Sequence, residues 1–98
     1  MNDGQTGWLW DPRKAAANIV KHGVTFELAS LVFEDPLQLN EPDDHPDGDR
    51  WLTIGVVLGA TLVVVHTFVE PDLAIGRIIS ARRAQAHERR RYEKALLS

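Results

Sequence analysis

Sixteen residues near the carboxyl terminus, Arg77-Ile-Ile-Ser-Ala-Arg-Arg-Ala-Gln-Ala-His-Glu-Arg-Arg-Arg-Tyr92, hold most of the chain's cations. Their apolar start reads as a strand and the remainder as a helix capped by Ser80, which puts Arg82 and Arg83 in the first helical turn. Cations there oppose the helix dipole, whose positive end favours carboxylates. A placement that costs stability points to binding. Backbone N–H groups and guanidinium forks at one spot form an anion trap, and phosphate is the anion they fit best. Arg77 and Arg82 are therefore the expected phosphate clamp, with Arg83 beside them.

Proton transfer near neutrality calls for histidine, whose reference pKa is roughly 6.5. His22 and His87 are the candidates, with Lys21 as an electrostatic helper. Lys21 and His22 also stand where any helix welcomes cations, at its negative end, so dipole compensation accounts for them as well as catalysis does. Arg89, Arg90 and Arg91 read as a solvated or partner-docking face. Glu88 falls within the apolar stripe of the last helix, where an unpaired carboxylate is expensive; Arg77 or Arg50 is its expected partner. His66 lies among Leu62, Val64 and Phe68 and reads as a hydrogen-bonded core histidine. Trp8, Trp10 and Trp51 are read as packing residues before base-stacking platforms. Asp43, His45, Asp47 and Gly48 echo a calcium loop, but Ile54 stands where its bidentate glutamate belongs, so no metal site is assigned.

The elements that must position these residues follow from local signals. Trp8-Leu9-Trp10 is a short strand, and Asp11-Pro12 starts a helix that runs to His22 before a Gly23 stop, burying Ala15, Ala16, Ile19 and Val20. Thr25 caps a second helix that ends before Asp35-Pro36. Leu37 to Asn40 is an edge strand, followed by an acidic loop over 41–49. Trp51 to Val57 and Thr61 to Val69 form a hairpin around Leu58-Gly59-Ala60, and Ile75 to Ser80 is a last strand before the final helix. The fold class is α+β: a compact antiparallel sheet with two N-terminal helices and a C-terminal helix.

At 98 residues the chain is read as one domain over 1–98, with 1–7 as a flexible extension. No apolar run is long enough to span a bilayer, no secretory signal precedes the domain, and there is no cysteine, all consistent with a cytoplasmic protein. The net charge of −3 hides a segregation: residues 27–72 hold ten acids against Arg50 alone, and residues 77–98 hold seven cations against two acids. Such a body repels long duplexes and attracts a basic protein, while its basic end holds phosphate locally.

Trp10-Asp-Pro-Arg-Lys-Ala-Ala-Ala-Asn-Ile-Val-Lys-His-Gly-Val24, Phe26 through Phe33-Glu-Asp-Pro36, Arg50-Trp51 and Arg77-Ile-Ile-Ser-Ala-Arg82 together resemble the BrnT family of type II toxins, over about Trp8 to Tyr92. The resemblance implies a RelE-like fold and a bacterial ribonuclease toxin that blocks translation. It implies RNA as substrate and a BrnA-like ribbon-helix-helix antitoxin as partner, with DNA reached only through that antitoxin. Carried across, the site residues are Lys21, His22, Arg50, Arg77, Arg82 and Arg83, with His87 added as a proton carrier. Metal-free cleavage needs a base for the 2′-hydroxyl, cations for the phosphorane and an acid for the 5′-oxygen; no cofactor is expected. The rival class is a non-catalytic interaction module that binds a DNA-binding partner and adjusts promoter repression.

Overall fold

Asp11 opens the first helix, α1 (Pro12–His22), by accepting the Arg13 N–H at 2.8 Å, and Gly23 ends it at φ 70° with its N–H on the Ile19 carbonyl. The computed structural model describes residues 7–44, 48–68 and 76–97; the expected extension over 1–7 lies outside them except for Gly7, and His45 and Asp47 of the acidic loop lie outside them as well. Thr25 caps α2 (Phe26–Ser30), which gives way to a tighter 3-10 turn over Leu31–Glu34. The single helix expected here is divided at Ser30, whose hydroxyl bonds back to the Glu27 carbonyl at 2.7 Å, a pairing that bends helices.

Four strands follow, β1 (Leu39–Pro42), β2 (Trp51–Val57), β3 (Ala60–His66) and β4 (Ile78–Arg83), paired antiparallel in chain order. β2 and β3 form the expected hairpin, but its turn is the two residues Leu58-Gly59, because Ala60 already pairs with Val57 in β3. Both faces of the sheet are covered. Phe26, Ala29, Val32, Leu62, Val64, Ile78 and Ala81 form the core under α1 and α2, while Ile54, Val63, Ala84 and Tyr92 form a second under α3 (Ala86–Leu96). That double coverage is why β3 reads as one continuous apolar run. His66 is fully buried, 2.7 Å from Thr53 Oγ1 and edge-on to Trp8, Phe33 and Phe68; burial lowers its pKa to about 4. It is the core histidine expected, and Trp8, stacked 3.9 Å from Phe33, is a packing residue as well.

The strand-to-helix boundary differs from the sequence expectation. Ser80 does not cap a helix: it pairs with Val65 inside β4, and Ala81, Arg82 and Arg83 continue the strand opposite Val64, Val63 and Leu62. Gln85 is the N-cap of α3. The cause is non-local, since β3 presents a row of buried backbone groups that need a partner as far as Leu62. Arg82 and Arg83 are thus strand residues, and the reasoning from an unfavourable helix position falls away.

The outer edge of β4 is closed by two different devices. Leu9 makes a single parallel bridge, with its N–H on the Gly76 carbonyl and its carbonyl on the Ile78 N–H; this replaces the expected N-terminal strand. A side chain at Gly76 would lie 1.8 Å from the Thr67 carbonyl oxygen. Further along, Asn18 of α1 donates from Nδ2 to the Val24 and Ala81 carbonyls at 2.9 and 2.8 Å and accepts the Ala81 N–H at 3.1 Å. This amide turns α1 away from the expected orientation. Asn18 is buried and Ala15 half-buried, while Ile19 and Val20, expected in the core, are 47% and 88% exposed.

Asn18→Ala should cost about 3 kcal/mol, because three buried backbone groups lose a partner at about 1 kcal/mol or more each. Urea unfolding checks this; a cost under about 1 kcal/mol means that α1 is held by packing alone.

Candidate active site

Burying Asn18 dictates what lies beside β4. In a helix the neighbours of a residue on its own face are three and four positions away. For Asn18 these are Lys14, Ala15, Lys21 and His22. The structure accordingly has a cleft of about 180 Å³ between α1 and β4, lined by Lys14, Ala17, Asn18, Lys21, His22, Ile79 and Ser80. Ile79 reaches it because β4 bulges there, where His66 pairs with Ile78 but Val65 with Ser80. Lys14 and Lys21 lie two helical turns apart, about 10 Å along the axis. The cleft therefore runs along α1 and combines two exposed ammonium groups, an imidazole and a hydroxyl, Lys21 and His22 lying at the negative end of the helix, with no carboxylate in its lining.

Of the expected site residues, Lys21 and His22 are brought together. Lys14, Asn18 and Ser80 are additions. The spacing Lys14, Asn18, Lys21 was itself a readable helical face, hidden by assigning the buried stripe to Ile19 and Val20. Arg77 is exposed, two residues before Ile79, about 7 Å along the strand. Arg82 lies five residues beyond Arg77, roughly 16 Å of strand away. Arg83 is exposed at the end of β4, and His87 is exposed in the first turn of α3. Arg50 precedes β2, two strands and about 10 Å across from β4, and its carbonyl accepts the Asp43 N–H. Neither Arg50, Arg83 nor His87 lines the cleft.

Arg82 has a specific internal partner. Its Nη1 and Nη2 donate to Glu88 Oε1 and Oε2, both at 2.8 Å, and the Gln85 N–H donates to Oε1 at 2.8 Å. Glu88 is buried and needed an arginine, as expected, but the partner is Arg82, not Arg77 or Arg50. Six residues of separation across a strand-to-helix corner bring the two together. The Arg82 fork holds the Glu88 carboxyl at a pKa of about 2 against burial, and the Gln85 N–H and nearby His87 assist. The guanidinium pKa rises in turn through the same hydrogen bonds. Arg82 thus locks the corner between β4 and α3, with both fork nitrogens directed at a carboxylate.

The Glu88 pKa drops from 4.5 to about 2 on folding, so the stabilisation is complete above about 4.5 and disappears as pH falls toward 2. Arg82→Ala should cost about 3 kcal/mol at neutral pH and remove this acid-sensitive limb. Thermal unfolding between pH 2 and 6 tests it; an unchanged pH profile contradicts the lock.

No curated protein matches the chain. No helix among the described residues is long and apolar enough to cross a membrane. Residues 10–88, which include α1, the whole sheet and the Arg82–Glu88 corner, match the family described as ribonuclease toxin, BrnT, of type II toxin-antitoxin system. The chain belongs to that family of toxins.

Proposed function

We propose that this chain is the toxin of a type II pair and cuts RNA in the α1–β4 cleft without a metal ion. The observation that carries the reading is the convergence of Lys14, Lys21, His22 and Ser80 on one cleft at the β4 edge of a net-acidic chain. Lys14 and Lys21 hold a backbone phosphate and offset the charge that builds on its oxygens, and Ser80 Oγ donates a hydrogen bond to it. Arg77 extends the cationic track beyond Ile79. Neutral His22 takes the proton of the ribose 2′-hydroxyl as that oxygen attacks phosphorus. The resulting imidazolium returns a proton to the departing 5′-oxygen. The P–O5′ bond breaks, leaving a 2′,3′-cyclic phosphate and a 5′-hydroxyl.

Messenger RNA is the substrate that makes such cleavage block translation in the cytoplasm. The RelE-like character of the sheet and a BrnA-like ribbon-helix-helix antitoxin, which reaches DNA on behalf of the pair, belong to the same reading. Arg82 acts here as a positioning residue, and Arg83 and His87 flank the path of the RNA. The occupied Arg82 fork is the observation that favours the non-catalytic interaction module, because it takes one arginine away from phosphate binding.

Lys21→Ala and His22→Ala, both at exposed positions, should each lower cleavage about a hundredfold with little change in melting temperature. Cleavage should survive chelator and leave cyclic-phosphate ends. A wild-type protein that cuts no RNA, free or on translating ribosomes, establishes the interaction module instead.

A further inference from the structure

Helix α1 carries four basic side chains, Arg13, Lys14, Lys21 and His22, and no carboxylate. On its side away from Asn18, two positions off and so about 200° around the helix, stands Val20. It is 88% exposed, with Ile19 47% exposed beside it. Val20 and Ala17, one helical turn apart, form an apolar ridge bordered by the cations Arg13 and Lys21. This ridge is continuous with the cleft: Ala17 lines the cleft and stands three positions from Val20 and four from Lys21, so one element laid on Val20 and Ala17 reaches Lys21 and Lys14 at its flank.

We infer that this face of α1 docks an acidic amphipathic helix of the antitoxin, and that the docked helix silences the toxin by occupying its phosphate-binding lysines. The charge pattern selects the occupant. A basic or neutral segment gains nothing from the cations Arg13, Lys14 and Lys21, whereas carboxylates seven residues apart on a helix lie about 10 Å apart, the spacing of Lys14 and Lys21. The apolar face of the same helix then covers Val20 and Ala17. The antitoxin carboxylates stand in for RNA phosphates, so protein and RNA exclude each other at one set of ammonium groups. The exclusion rests on the cleft being the RNA site; the docking on Val20 does not.

The test measures two quantities on the same variants: affinity for the purified cognate antitoxin, and cleavage of a single-stranded RNA oligonucleotide without it. Val20→Glu, at an exposed helical position, should weaken antitoxin binding roughly thirtyfold or more by setting a carboxylate against an acidic partner. Its cleavage should stay within about twofold of wild type on the scale where tenfold is 1.4 kcal/mol. Paired Lys14→Ala and Lys21→Ala should weaken both. Antitoxin affinity unaltered in Val20→Glu, or antitoxin and a non-cleavable RNA bound to the toxin together, overturns the proposal. If the paired lysine variant loses antitoxin but cleaves RNA normally, the catalytic reading of the cleft fails while the docking surface stands.

Discussion

One amide sets the geometry of this protein. Asn18 occupies the edge of β4 as another strand would, satisfying both backbone groups of Ala81, and it ties down the chain reversal after the helix through Val24. A buried polar side chain with three good partners fixes rotation more sharply than apolar packing does, since a small turn of the helix would orphan several groups at once. The residues on the Asn18 face then have no choice of location. Lys14, Lys21 and His22 border the strand, and Ala16 and Val20 look outward. The cleft lining and the exposure of Val20 are two consequences of the same constraint.

Two further polar clips hold the sheet between its helices. The Arg82–Glu88 fork closes the corner from β4 into α3. At the opposite edge the Asp35 carboxylate accepts from the Val56 N–H at 2.9 Å and from Tyr92 Oη at 2.6 Å, joining the layer of α2 to that of α3 around β2. Burial works against the Asp35 charge, yet the hydrogen bonds from Tyr92, Val56 and Leu37 outweigh it and lower the pKa; burial and the same carboxylate push Tyr92 up to about 12. Both clips place acids under obligation to partners inside the protein. Part of the acidic excess that the composition suggests is therefore engaged in structure.

What was legible in the sequence is what local chemistry decides. The limits of α1 followed from Asp11, Pro12 and Gly23, the hairpin from β-branched runs flanking Leu58-Gly59, and the fate of His66 from its apolar neighbours. The end of β4 was not legible, because Ser-Ala-Arg-Arg-Ala favours a helix and only the unpaired edge of β3 makes it a strand. That one non-local demand moved Arg82 from a presumed phosphate clamp to a structural lock. The orientation of α1 was misread for a related reason: Ile19 and Val20 look like core by type, and the hydrogen-bonding capacity of a single asparagine outranks them. The spacing of Lys14, Asn18 and Lys21 held the answer once Asn18 was taken as the buried position.

The central claim is that RNA is held by the face of α1 that Asn18 turns toward β4. Titrating the isotope-labelled protein with a 2′-deoxy-substituted oligonucleotide that cannot be cleaved, and following amide and imidazole resonances, addresses it directly. Shifts concentrated at Lys14, Lys21, His22 and Ser80, with Glu88 and the body of α3 silent, are the predicted result. Shifts centred on Arg83, His87 and Arg90 with α1 unperturbed would contradict the account.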